Sequence, residues 1–243
     1  MLFRMSRAAI FGLILLAQGE IARADDLAEF NAAVESAEAH NRVAIGYLRT
    51  GNSDLASVEI DRLRAAWRQV TERFAGRRPQ AFAKNDDYVK AMTDIGLRLV
   101  TADMMFNSGR PDATRTALIG IRDNLSKLRK SAGVVVLADC VRDANSAMDA
   151  LMVYDDRGID LSKAAVYDGL AGRTMAYENL LDRCDGIANE TVRRAPDFRR
   201  LIDGAKASLA LIPKAISDRD NALLHRVLIE LRAFDNLLAF RYG

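Results

Sequence analysis

The chain has 243 residues, 50% of them hydrophobic and 28% charged, with 4 Pro and 15 Gly, which excludes a collagen-like, low-complexity or disordered chain and supports a packed core. Aromatics make up 7%, and long Leu, Ala, Ile and Val runs pass without turn clusters, which excludes a β-sandwich, a barrel or a glycine-rich nucleotide-binding sheet. The 35 Lys and Arg against 33 Asp and Glu give a formal net charge of +2, too small a field to recruit nucleic acid or anionic lipid.

The N-terminus reads as a secretory signal peptide. Arg4 and Arg7 precede a ten-residue uncharged run at 8–17, and Ala22 and Ala24 place small residues at the −3 and −1 positions of a cleavage site after Ala24. Ten residues of helix rise about 15 Å, half of a bilayer core of about 30 Å, so a cleaved leader is expected over a membrane span. Cleavage removes Arg4, Arg7, Arg23 and Glu20 and leaves 32 charges of each sign. No later run reaches the roughly 18 apolar residues of a membrane helix, so the expected product is periplasmic, with no integral membrane segment after cleavage and no nucleic-acid partner. In an oxidising compartment two cysteines are expected to pair, and Cys140 with Cys184 is the one pairing available.

From residue 26 onward the apolar residues recur at alternating steps of three and four. Ile60, Leu63, Trp67, Val70 and Phe74 form one stripe, and Tyr88, Met92, Ile95, Leu99, Ala102 and Phe106 the next. The spacing continues through Leu118, Ile121, Leu125 and Leu128, through Leu137, Val141, Ala144, Met148 and Leu151, and through Leu224, Val227, Leu231, Phe234 and Leu238. Breakers at Gly51, Gly109, Pro111, Gly133, Gly158, Pro196 and 217–220 divide the pattern. Eight helices are predicted, near 26–50, 54–75, 86–108, 111–131, 134–155, 163–189, 197–216 and 219–241, with Pro213 bending the seventh. Short connections lay successive helices side by side, so the fold class is all-α: an up-down helical bundle, two four-helix bundles in tandem. The domain reading is a signal peptide at 1–24, an N-terminal bundle at 25–132 and a C-terminal bundle at 133–243. The segments 59–67, 117–125 and 227–235 each place an apolar-Arg pair at the same offset, a hint of repeated hairpins.

A secretory leader followed by four amphipathic helices of about 20 residues, with a longer polar connection at 75–87, resembles the periplasmic four-helix-bundle cytochromes, both the soluble b type and cytochrome c-prime. The resemblance implies a bundle fold in an exported setting. In those families a His near the end of the fourth helix holds the haem, preceded by C-x-x-C in the c-prime type and opposed by a first-helix Met in the b type. The corresponding segments here, 125–129 and 237–242, contain neither His nor Cys, so the likeness is one of architecture and lacks the haem-binding residues.

Candidate chemistry is sparse. His40 and His225 are the two histidines, without i, i+4 pairing; as a metal site they need carboxylates or Met residues brought to them, and ordinary helix positions are the simpler reading. Met104, Met105, Met148 and Met152 read as core packing before a soft-metal surface. Arg64, Arg122 and Asp235 fall at core-facing offsets, where a charge needs a partner, with Glu230 and Arg232 nearby. These five are the candidate ligand-binding residues; structural ion pairs are the plainer account. The acidic stretch 154–160 lacks the order of a calcium loop and reads as a turn. No nucleophile elbow, phosphate-cradling loop or HExxH occurs, so no enzyme is expected and no cofactor beyond a metal ion. The expected function is that of an exported, non-catalytic binding protein for a metal ion, a small ligand or a periplasmic partner protein. The alternatives are an electron-transfer relative of the bundle cytochromes and a structural or adaptor protein.

Overall fold

A computed structural model describes the backbone of residues 8–243 and the side chains of residues 26–243. The expected signal peptide, 1–24, falls outside the residues whose side chains are described. The regular structure of the described residues is helical, and none of their helices is long and apolar enough to cross a membrane. The chain divides into two compact units, Met1–Val134 and Val135–Gly243.

The first unit contains α1 (Ala8–Arg49), α2 (Ser53–Phe74), α3 (Asp87–Asn107) and α4 (Pro111–Ser131). α1 packs on α2, α2 on α3, α3 on α4 and α4 on α1, closing a ring around one core. Successive helices run antiparallel, because pairs ascending one helix descend the next: Glu29 with Arg73 and His40 with Glu59 join α1 to α2. The buried stripes of α2, α3 and α4 are those the periodicity marks, from Ile60, Leu63 and Trp67 to Tyr88, Ile95 and Leu125. Each fully buried large apolar side chain contributes about 1.5–3 kcal/mol of transfer free energy, and this term holds the ring together.

Three helices of this unit end alike, with a glycine at positive φ. Gly51, Gly109 and Gly133 have φ of 76°, 67° and 68°. Beyond each, an N–H bonds back to a carbonyl of the last turn: Asn52 to Tyr47, Arg110 to Met105 and Val134 to Arg129, each at 2.9 Å. Only a residue without Cβ adopts this closure at no steric cost. The connection at 75–87 is less polar than its composition suggests. A short 3₁₀ turn at Gln80–Phe82 buries Phe82 against Phe30 and Tyr88, with ring centroids 5.4 Å apart in both pairs. The Tyr88 hydroxyl donates to the Phe74 carbonyl at 3.1 Å, and burial pushes its pKa up to about 12.

The second unit contains α5 (Leu137–Leu151), α6 (Ala164–Ile187), α7 (Glu190–Arg194), α8 (Pro196–Leu209), α9 (Ile212–Ser217) and α10 (Asn221–Tyr242). Here α5, α6, α8 and α10 make the antiparallel ring. The Cys140–Cys184 disulfide staples α5 to α6 with Cα atoms 5.5 Å apart, and Arg199 bonds Asp185 between α8 and α6. The predicted seventh helix is two: the break falls at Ala210 and Leu211, and Pro213 sits in the first turn of α9, where its missing N–H costs nothing. The short helix α7 falls in a stretch where the periodicity marks only a boundary; Asn189 caps it by accepting the Val192 N–H at 2.9 Å.

Candidate functional site

The buried charges are not all where the sequence spacing puts them. Arg64 is 49% exposed and lies on the α3 side of α2, 3.4 Å from Asp103 and 3.5 Å from Asp61, which corrects the core-facing reading. It follows the buried Leu63, and one step of about 100° from the middle of a buried stripe is enough to reach the rim. Arg122 after Ile121 and Arg232 after Leu231 are half-buried for the same reason. Glu230 is exposed. Of the five candidate ligand-binding residues, the second unit brings together only Arg232 and Asp235, 3.4 Å apart.

Asp235 is buried and is the centre of a polar network in the second unit. Its Oδ2 accepts from Asn145 Nδ2 at 2.5 Å and from Arg232 at 3.4 Å, and its Oδ1 accepts from the Tyr177 hydroxyl at 3.4 Å. Burial raises its pKa to about 6 against the pull of these donors and of the Arg232 charge. Burial and the Asp235 charge push the Tyr177 hydroxyl far above its ordinary range.

In the first unit the buried charges are ones the periodicity misses. Glu38 on α1 and Arg129 on α4 form a buried pair at 3.1 Å, and the buried Arg42 bonds Glu35 at 2.6 Å. Both helices carry polar residues within their core stripes, which a search for apolar spacing skips. Thr114 and Asn41 are also buried, Asn41 donating to the Leu118 carbonyl at 3.1 Å.

Both histidines are engaged by carboxylates. His40 Nδ1 lies 2.7 Å from Glu59 Oε2, and Arg62 holds the other oxygen of Glu59 at 2.7 Å. His225 Nδ1 bonds Asp155, while Arg157 stands 3.1 Å from Nε2. A guanidinium only donates, so Nε2 accepts and the Nδ1–H is given to Asp155. These bonds fasten the turn at 154–160 to α10, with Asn221 donating to the carbonyls of Arg157 and Ile159. Among the described residues no group of three or more His, Cys, Asp or Glu side chains is placed to hold a metal ion.

Apolar residues are exposed on the outer sides of two helices: Ile229, Leu237 and Phe240 on α10, and, to a greater degree, four residues on α3. Val89, Leu97, Val100 and Met104 are 55, 60, 57 and 58% exposed, so α3 is apolar on two sides. Met104 therefore corrects the core-packing reading of the methionines, whereas Met148 is fully buried. Thr93 lies exposed within the outer stripe, whose steps of four, four, three and four from Val89 to Met104 keep it on one face of the helix.

Beside the stripe, α3 and α4 border an open groove of about 190 Å³ lined by Asp87, Lys90, Asp94, Asn124 and Lys127 among others. Outside the groove lining, the Arg98 guanidinium of α3 occupies the space a Cβ would take at Gly120 on α4. Among the described residues none of Asp87, Lys90, Asp94, Arg98 and Lys127 forms an ion pair, and the buried amide nitrogen of Asn124 finds no acceptor. An apolar ridge bordered by mixed, uncommitted charge is suited to holding another polypeptide. No family model, curated protein or solved structure matches this chain.

Proposed function

We propose that this chain is an exported, non-catalytic helical-bundle protein that binds a partner protein, and that the outer face of α3 is where the partner docks. The observation that carries the reading is the exposed stripe of Val89, Leu97, Val100 and Met104 on a helix whose opposite side already fills the core. Singly scattered surface apolar residues need no explanation, but Leu97, Val100 and Met104 follow one another within two turns on one face, with Val89 beyond Thr93 on the same face. The disulfide between α5 and α6 supports the exported setting, because such bonds persist in oxidising compartments.

The test is site-specific photo-crosslinking of the full chain in its native fraction. A photoreactive residue at Val100 is expected to give a discrete adduct, and one at exposed Glu72 on α2 is not. Equal adduct yields at the two positions would end the docking reading. The groove beside α3 supports a second reading, a small polar ligand, through the unsatisfied buried amide of Asn124. A small molecule whose thermal stabilisation is abolished by Asn124→Leu would favour that reading over the first.

A further inference from the structure

The groove between α3 and α4 has an order of charges that selects a class of ligand. The Asn85 amide, just before α3, donates to the Ser131 hydroxyl on α4 at 2.6 Å, and one end of the groove is closed there. Beyond the other end, Arg98 lies over Gly120. These two contacts fix the antiparallel register of the helices, which sets Lys90 across from Lys127 and Asp94 across from Asn124. Asp87 stands one turn from Lys90 on the side away from Asp94. Along the groove the charges therefore run acid, base, acid at intervals of about 5.4 Å, and both walls contribute the base.

Lys90 has an acid three residues before it and another four residues after it, the spacings at which helix charges pair. Elsewhere in the chain such neighbours close, as in Arg62 with Glu59 at 2.7 Å, Arg115 with Asp112 at 3.2 Å and Lys214 with Asp218 at 2.5 Å. In the groove none of the four charges is paired with a described residue. Two ammonium groups on opposite walls repel each other, and an anion between them relieves that repulsion. The acids on either side of the lysines favour a cation at each end of that anion. The Asn124 amide nitrogen lacks an acceptor, and a turn of the amide about its freely populated χ2 brings it to a carboxylate in the groove.

From this order we infer that the groove binds a dibasic α-amino acid; the inference rests on the small-ligand reading of the groove above. Its carboxylate lies between Lys90 and Lys127, its α-ammonium at Asp94 and its side-chain cation at Asp87. The methylenes between them cross Ala91 and the buried Leu128, the apolar part of the lining. A volume of about 190 Å³ is below the roughly 300 Å³ at which pockets for drug-sized ligands begin, and it suits a molecule of about ten non-hydrogen atoms. A dicarboxylate meets Asp87 and Asp94, and an amine without a carboxylate meets the two lysines, so both are rejected by charge. An open groove covers one side of its ligand, and the dissociation constant is accordingly on the order of 1 mM.

The experiment is an NMR titration of the isotope-labelled full chain with L-lysine, L-norleucine and glutarate, each to about 20 mM at constant pH and ionic strength. L-Lysine is expected to shift the amides of 87–94 and 124–131 to saturation. Norleucine, which lacks the side-chain ammonium, is expected to bind several-fold more weakly, and glutarate not at all. Lys127→Gln and Asp94→Asn, each with its helix content checked by circular dichroism, are expected to weaken lysine binding tenfold or more. Absence of saturable shifts with lysine overturns the inference. So does norleucine or glutarate binding as tightly as lysine, or lysine binding indifferent to both substitutions. A probe other than lysine that shifts these amides, and loses the effect in Asn124→Leu, overturns the dibasic assignment and leaves the groove a small-ligand site; silence from all three probes ends both readings.

Discussion

The two units solve the same packing problem with different means. The first has no disulfide, closes three helix ends with glycine, and balances a buried Glu38 against a buried Arg129. The second closes α9 with Arg219 at a φ of 54°, a conformation that costs a residue with Cβ about 1 kcal/mol, and buries Asp235 among donors of which only Arg232 is charged. It also carries the Cys140–Cys184 staple, which offsets such local costs by restricting the unfolded chain. Stability in the first unit is thus distributed over noncovalent fits, whereas the second combines local strain with one covalent bond.

This contrast breaks first at its most compensated point. Arg129→Met leaves Glu38 buried without its cation and is expected to cost about 3–5 kcal/mol in urea unfolding of the first unit. Adding Glu38→Leu to that variant should recover most of the loss, since an apolar pair of similar volume replaces a buried ion pair at little cost. In the second unit the largest loss follows from Cys140→Ala/Cys184→Ala. For a sequence separation of 44 the chain-entropy estimate is about 4 kcal/mol, an upper figure, and a loss of about 2–4 kcal/mol is expected. Hydrogen exchange should place that loss in α5 and α6 and leave α1 to α4 unchanged.

Acidification sharpens the comparison. Asp235 has a folded pKa raised to about 6 from 3.8, so the folded second unit takes up its proton before the unfolded chain does. The stabilisation is fully present below pH 4 and is lost as pH rises through 6. Between pH 7 and pH 4 this group adds about 2–3 kcal/mol to the second unit. The groups facing Asp235 are Asn145 and Asp149 from α5, Tyr177 from α6 and Arg232 on its own helix. Asp160 and Asp218 are exposed and have lowered pKa values through bonds to Ser162 and Lys214 respectively, so their opposite effect falls below pH 4. Asp235→Asn should flatten the rise between pH 6 and pH 4; an unchanged slope would remove Asp235 as its source.

How much of this was readable from the chain follows from what periodicity reports. Apolar spacing locates Leu63, Ile95, Leu125, Met148 and Leu231 in the cores because a helix buries one stripe, and exactly two cysteines leave one pairing. It misplaces Arg64, because a residue one step past a stripe's centre can face the rim, and three- and four-residue offsets do not separate the two cases. It misses Glu38 and Arg129 because a polar residue inside a stripe looks like an interruption until its partner 91 residues away is known. The outer stripe of α3 was present in the sequence as Val89, Leu97, Val100 and Met104. What marks it as a surface is the second stripe, Tyr88 to Ala102, already filling the core from the same helix.

The smallest expected effect compares two helix-interior glycines, one in each unit, and separates a glycine that packing requires from one that it does not. At Gly204 on α8 a Cβ falls 2.6 Å from the Phe234 ring of α10, so Gly204→Ala must displace a half-buried ring. The gain in helix propensity of about 1 kcal/mol is then consumed or reversed, and the midpoint of unfolding should fall or stay unchanged. At Gly96 a Cβ meets nothing, so Gly96→Ala should stabilise the first unit by up to about 1 kcal/mol. Gly96→Ala is therefore expected to raise the midpoint of unfolding of the first unit, whereas Gly204→Ala does not raise that of the second. Equal gains at the two positions would mean that the Phe234 ring gives way to the methyl group at no cost.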